Sequence, residues 1–421
     1  MLRLSALVLL LAGFVSHGAA VAATFAEVAP EEVGLSSARL ERLTKVIEDA
    51  TVSELPGVVA LIARRGKIAY FKAFGMQDKA MGRPMARDSI FRLYSMTKPI
   101  VSVAVMQLVE EGKLALYEPI SKYLPEFTEM KVGIETFDQT TGNKTFSTIP
   151  AKRQITVQDL LRHTSGLTYG ALGGKSTVKE MYRDAGISLD GWTTESFVKK
   201  LASLPLQYEP GTVWEYGHST DVLGRLVEVV SRQRLDAYLA EHIFKPLEMV
   251  DTAFHVPPEK LHRLAQPQPD RKTGVVPELL DVTRPTSFHA GGHGLVGTIE
   301  DYLRFCQMIL NGGELDGVRV LSRKTVEFLG SDHLPPSISR AGTYLPGAGY
   351  GFGLGFAVRT DPGLSEWPGS VGELFWGGYG GTAFWIDRQE QFIPMLFFQD
   401  PTRRLHYRML FRGLALQSIV D

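Results

Sequence analysis

The chain has 421 residues, 44% of them hydrophobic, which supplies apolar material for a large core or two and excludes a disordered or fibrous protein. Lys and Arg total 45 against 46 Asp and Glu, a formal net charge of -1, so no global basic field exists to attract a phosphate backbone and no nucleic-acid partner is expected. The single Cys306 excludes an internal disulfide and reads as a buried thiol, and the histidines form no HExxH or paired Cys/His pattern, so neither a metal nor another cofactor is implied.

Residues 1 to 23 carry Arg3, an apolar run from Leu4 to Val15, and small residues ending at Ala23. This reads as a secretory signal peptide, so the chain is expected to be exported to the periplasm or secreted, with no membrane span after cleavage. Next comes an amphipathic segment, Ser37 to Thr51, whose Leu40, Leu43 and Ile47 recur at helical spacing. The runs Gly57 to Arg64 and Ile68 to Phe74, separated by Arg65-Gly66-Lys67, read as a hairpin. The loop Gly133 to Thr148 is polar. Helical periodicity marks Ser95 to Gly112, Val157 to His163, Thr194 to Leu204, Thr220 to Arg232, Leu235 to Glu241 and Thr298 to Asn311, divided by Gly/Pro-rich loops. Gly353 to Thr360, Gly381 to Asp387 and Gln391 to Gln399 read as strands, followed by an amphipathic segment from Leu405 to Val420. Strands thus come from both ends of the chain. The expected fold is α+β, an antiparallel sheet of about five strands flanked by terminal helices, with a mostly helical domain inserted. Residues 24–94 and 300–421 would form the first domain and 95–299 the second, with a cleft between them.

Three segments carry chemistry. In Ser95-Met96-Thr97-Lys98, opening a strongly apolar helix, the i, i+3 spacing sets a hydroxyl beside an amine. An ammonium is poorly placed at the positive end of a helix macrodipole, whereas a free amine there can act as base to the serine. Tyr216, in Trp214-Glu215-Tyr216-Gly217-His218, stands on a loop before a helix, where a phenol can relay a proton. His218 reads as a substrate-side hydrogen bonder or a second base. In Phe375-Trp376-Gly377-Gly378-Tyr379, at the edge of the C-terminal strand set, paired glycines mark a close approach by ligand or backbone, and backbone N–H groups could polarise an ester carbonyl.

With these segments the chain resembles the serine β-lactamase and penicillin-binding-protein superfamily, and within it the class C-like family VIII carboxylesterases. Ser95-Met96-Thr97-Lys98 matches S-x-x-K, Tyr216-Gly217-His218 stands where class C enzymes carry Y-A-N, and Trp376-Gly377-Gly378 where they carry K-T-G. The stretches His163-Thr164-Ser165-Gly166-Leu167 and Gly291 to Thr298 are also family-like. The resemblance spans essentially the whole mature chain. It implies an acyl-enzyme mechanism in which Ser95 attacks a carbonyl, Lys98 and Tyr216 share the proton transfers, and the backbone N–H groups of Ser95 and Tyr379 form the oxyanion hole. Substrate would meet Trp376, Gly377, Gly378 and His218. Trp376 in place of the K of K-T-G removes a cation that would meet a substrate carboxylate, which favours a neutral ester or amide over an acidic β-lactam.

The expected function is therefore hydrolysis of small carboxylic esters. A β-lactamase, D-amino-acid peptidase or acyltransferase with the same machinery is the alternative, and a non-catalytic penicillin-binding-like sensor a further one. Gly292-His293-Gly294-Leu295-Val296-Gly297 spells G-x-G-x-x-G but lacks a preceding strand, and Thr298 with Asp301 fits a capping box instead. The G-x-S-x-G elbow of α/β-hydrolases is absent. Trp214, Trp376, Tyr169 and Phe375 suggest an aromatic pocket wall. Acyl length and oligomeric state are left open.

Overall fold

The computed structural model describes residues 25–186, 191–270, 272–340 and 344–421, so the leader segment read at 1–23 lies outside the described residues. Helix α1 (Ser37–Ser53) starts where the Ser36 hydroxyl accepts the Arg39 N–H, and it buries Leu40, Leu43, Ile47 and Ala50. Strands β1 (Val58–Arg64) and β2 (Lys67–Phe74) are joined through Arg65 and Gly66, at φ 53° and 74°, the two left-handed residues that let a tight hairpin follow the strand twist. The chain then turns mostly helical, with α2 (Thr97–Glu110), α3 (Ser219–Ser231) and α4 (Ile299–Leu310) as its longest pieces. It returns to the sheet as β3 (Tyr350–Phe352), β4 (Ala357–Arg359), β5 (Leu374–Gly377), β6 (Ala383–Ile386) and β7 (Phe392–Phe397), and closes with α5 (Arg404–Leu416).

These strands make one antiparallel sheet of 7, in the order β3-β4-β5-β6-β7-β1-β2. Two strands exceed the sequence expectation. The run Gly353 to Thr360 is preceded by β3, which pairs with β4 in the register Phe352↔Ala357, both too short to show alternation. Leu374–Gly377 is third in the sheet, paired on both sides, and not at its edge. The polar loop read at 133–148 is also a hairpin, Lys131–Phe137 with Lys144–Pro150, whose exposure on most of its positions hides the strand pattern. Short helices Thr177–Asp184 and Arg323–Leu329 carry too few turns to have declared themselves.

The side-chain period of two decides the layers. Val59, Leu61 and Ala63 of β1 and Ile393, Met395 and Phe397 of β7 join the large core that includes α2 and α4. Val58, Ala60, Ile62, Phe392 and Leu396 point the other way, against α1 and α5. Helix α2 is buried on nearly every side, from Ile100 and Val101 through Met106 and Leu108. Its first turn, Thr97 to Ile100, is therefore enclosed by the core.

Candidate active site

Ser95 sits in a 3₁₀ turn, Tyr94–Met96, just ahead of α2, and not on the α-helix that the sequence had it opening. Tyr94 has φ 47°, a left-handed conformation costing a non-glycine residue about 1–3 kcal/mol, which its contacts must offset. Its hydroxyl accepts the Leu280 N–H at 2.9 Å, and its ring meets the edge of Tyr379 at 5.6 Å between centroids. The Met96 carbonyl accepts from the Tyr302 hydroxyl at 2.9 Å, and the Thr97 hydroxyl accepts the Leu295 N–H at 3.1 Å. Phe91 and Arg92 pair antiparallel with Gly297 and Val296, which brings the glycine-rich 291–294 turn alongside the serine turn.

Lys98 is 1% exposed. Its Nζ donates to the Gly292 carbonyl at 2.7 Å, to the Tyr169 hydroxyl at 3.1 Å and to Ser95 Oγ at 3.3 Å. It also lies 4.6 Å from the centroid of the Tyr216 ring, so Tyr216 meets the lysine with its face. The Tyr216 hydroxyl accepts from Trp376 Nε1 at 3.3 Å. Ser95 and Lys98, from one segment, are thus brought together with Tyr216 from a distant one.

Tyr169 joins them, although the sequence reading placed it only in a pocket wall. No spacing in the chain links it to Lys98. What seats it is a buried lattice: Glu215 accepts from the Thr168 hydroxyl at 2.6 Å and pairs with Lys179 at 2.8 Å. Gly217 allows the two loops to touch, since a Cβ there would lie 2.4 Å from the Leu167 carbonyl oxygen. Burial, then the charge of Asp221, holds the Tyr169 phenol well above its ordinary range, so it stays neutral. Of the other expected wall residues, Trp214 is core, stacked on Tyr216 and 1% exposed, and Phe375 packs against Trp385 on the opposite face of β5.

His218 is enclosed by the rings of Tyr169, Phe197 and Tyr182, and its Nδ1 lies 2.8 Å from Asp221 Oδ2. Burial opposes the ionised form of Asp221, yet the His218 hydrogen bond, His293 and Lys98 bring its carboxyl down to about 2. Burial likewise lowers His293 to about 4 and holds His163, beside the Tyr216 ring, well below the ordinary imidazole range.

The paired glycines after Trp376 admit the chain itself. A Cβ on Gly378 would stand 2.2 Å from the Leu93 carbonyl oxygen, and one on Gly377 would stand 2.7 Å from the Arg408 guanidinium carbon. Arg408 donates to the carbonyls of Gly378 and Thr382, a cation on α5 that the motifs did not announce. Gly378 N–H donates to the Thr382 carbonyl at 2.7 Å, closing the turn that carries the half-exposed Tyr379. A cavity of about 390 Å³ is walled by Trp192, Phe254, Leu280, Arg284, Phe288 and Gly294, the last of these from the glycine-rich turn. Thr298 caps α4 through the Asp301 N–H, but the Asp301 carboxylate turns to Thr252 and the Asp251 N–H, so the expected capping box is only half formed. Cys306 is buried, and burial raises its thiol well above the usual range. Among the described residues no cluster of His, Cys, Asp or Glu has the makings of a metal site, and no helix is long and apolar enough to cross a membrane.

A family model described as Beta-lactamase matches residues 43–416. The chain belongs to the beta-lactamase family. Esterase EstB of Burkholderia gladioli is 33% identical over 386 residues, covering 87% of this chain and 92% of that one. Protein Rv1367c of Mycobacterium tuberculosis is 37% identical over 356 residues, covering 82% and 86%. The solved structure of EstCE1, a hydrolase with promiscuous acyltransferase activity, superposes with a TM-score of 0.75 at 25% identity, covering 91% of this chain and 99% of that one. The protein is a beta-lactamase-fold hydrolase with esterase and acyltransferase homologues.

Proposed function

We propose that this beta-lactamase-family protein is a serine carboxylesterase that cleaves small neutral esters through an acyl-enzyme. The observation that carries the reading is the hydrogen-bond set of Lys98. A neutral amine has two N–H donors and one lone pair. Lys98 donates to all three neighbours as an ammonium; in the reacting, free-amine form the Gly292 carbonyl and the Tyr169 oxygen keep its two N–H donors, and the lone pair then faces the Ser95 hydroxyl 3.3 Å away. Ser95 then gives its proton to Lys98 as its oxygen bonds to the ester carbonyl carbon. The carbonyl oxygen takes the negative charge, which the N–H groups of Ser95 and Tyr379 would hold. Collapse breaks the bond to the alcohol, whose oxygen receives the proton from Lys98 by way of Tyr216. Water, giving a proton to the same pair, bonds to the acyl carbon; the bond from that carbon to Ser95 Oγ breaks, Ser95 takes the proton back, and the acid leaves.

Two features favour a neutral substrate. Trp376 supplies an indole where a cation would greet a carboxylate, and Arg408 already has two backbone carbonyls to satisfy. The likeness to EstB, an esterase, supports an ester as the substrate. Transfer of the acyl group to an alcohol is the second outcome of the same intermediate, and it is favoured by the likeness to EstCE1. We further propose export, on the strength of Arg3 and the apolar run to Val15, which N-terminal sequencing of the mature protein tests.

A short-chain chromogenic ester should be turned over by the wild type and at least about a thousandfold more slowly by Ser95→Ala. Mass spectrometry should find a fluorophosphonate adduct on Ser95. Faster turnover of a cephalosporin than of every simple ester, or an adduct elsewhere, overturns the reading.

A further inference from the structure

Asp221 is 0% exposed in the first turn of α3, and its two oxygens serve different partners. Oδ1 accepts the Gly292 N–H at 2.8 Å, and Oδ2 lies 2.8 Å from His218 Nδ1. Gly292 in turn offers its carbonyl to Lys98 at 2.7 Å. The ring that Asp221 holds, His218, stands edge-on to Tyr169 at 4.4 Å between centroids, and Tyr169 is the other acceptor of the lysine. Both groups that take the N–H donors of Lys98 are therefore braced by one carboxylate.

Burying a carboxylate is costly unless its partners compensate, and here no Arg or Lys lies within ion-pair distance among the described residues; its nearest cationic-capable partners are His218 and, at 3.8 Å, His293. An apolar residue could fill the space at lower cost. We infer that Asp221 is a positioning residue of the reaction: through Gly292 and His218 it fixes the acceptors that orient the Lys98 lone pair toward Ser95, and it lends the site its buried negative charge. This rests on the reading of Ser95 as nucleophile and Lys98 as its base.

The charge has a consequence for pH. The groups around Lys98 and Asp221 are His163 and Tyr169 from one loop, Tyr216 and His218 from the next, His293 from the glycine turn, and Arg408 of α5 acting on Tyr216. Glu215 of the Tyr216 loop is matched by Lys179 at 2.8 Å, which leaves Asp221 as the carboxylate among them with no Lys or Arg partner among the described residues. Replacing it by Asn removes the buried anion from beside the Ser95 and Lys98 pair, so the acid limb of Ser95 reactivity moves to lower pH, while the loosened acceptors slow the reaction at every pH.

The test is the rate of Ser95 labelling by a fluorophosphonate across the acid and neutral range, in full-length wild type, Asp221→Asn and Gly292→Ala, with thermal melts alongside. Wild type is labelled; absence of labelling overturns the parent reading and this one with it. Asp221→Asn should be labelled about tenfold or more slowly, with its acid limb lowered by about half a pH unit or more. Labelling of a folded Asp221→Asn at the wild-type rate, or slowed with an unmoved limb, overturns the proposal and leaves the parent reading standing. Gly292→Ala keeps the carboxylate but puts a methyl group 2.9 Å from Oδ1, forcing it off the amide. It should be labelled about threefold or more slowly, and it decides the matter if Asp221→Asn does not fold. A wild-type rate in Gly292→Ala also overturns the proposal.

Discussion

Trp376 Nε1 donates to the hydroxyl oxygen of Tyr216 across 3.3 Å, with the two rings tilted at 57° and 5.4 Å apart. The polar edge of the indole is thereby spent inside the protein, and Trp376 is only 4% exposed. Its place in the motif suggested a donor for substrate; the fold gives that donor to the Tyr216 hydroxyl, the group proposed to relay the proton. Trp376→Phe keeps the packing and removes the donor. For a neutral ester kcat should fall about threefold to tenfold while KM moves less than about twofold, as expected for a bond worth about 1 kcal/mol that acts on the chemical step. Steady-state kinetics with a chromogenic ester checks this.

Tyr169→Phe takes one acceptor from Lys98 and leaves the aromatic packing against Tyr216 and His218 in place. A freed N–H can then compete for Ser95 Oγ. The expected outcome is a fall in kcat of about tenfold or more with the thermal midpoint nearly unchanged. A large loss of stability would instead make Tyr169 a packing residue.

Asp159 anchors the loop that leads to Tyr169. It accepts from Arg153 at 2.6 and 3.0 Å, from Arg162 at 3.2 Å and from the Thr164 hydroxyl at 2.9 Å, and it is wholly buried. Burial works against its charge, but the Arg153 and Thr156 hydrogen bonds win and hold its carboxyl below the ordinary value. That stabilisation is present above the unfolded value and disappears as pH falls through the folded one. Asp159→Ala should cost about 2–3 kcal/mol in urea unfolding at neutral pH, because it removes the carboxylate that Arg153, Arg162 and Thr164 share, and less in acid.

Asp301 shows the opposite sign. Burial raises its carboxyl to about 6, despite hydrogen bonds from the Thr252 hydroxyl and the Asp251 N–H. A raised carboxyl contributes stability below its unfolded value that is lost as pH climbs through about 6. Asp301→Asn keeps an acceptor for both bonds without the charge. Its thermal midpoint should exceed that of the wild type at pH 8 by the equivalent of about 1–2 kcal/mol, and the gap should close toward pH 4. Calorimetry at the two pH values checks both halves.

Long periodic elements were legible in the chain. The α1 pattern from Leu40 to Ile47, the hairpin around Arg65-Gly66 and the helices near 219 and 299 follow from spacing and turn chemistry, and the structure places them within a few residues. Short or two-faced elements were not. The strands at Tyr350 and Leu374 have 3 and 4 residues, too few to display a period, and their pairing is set by neighbours distant in sequence. Lys131–Pro150 escaped because a largely solvated hairpin has no apolar face to announce it.

The nucleophile candidate and its amine could be read from the chain because one helical turn joins them, and local geometry is written into local sequence. Which groups surround that amine could not. Gly292, Tyr169, Asp221 and Arg408 reach the site through strand pairing, a buried Glu215 lattice and the seating of α5 on the sheet. Their side chains look like ordinary packing or polar residues until the fold closes. Contacts between residues remote in sequence depend on how layers pack, and only the assembled core specifies that.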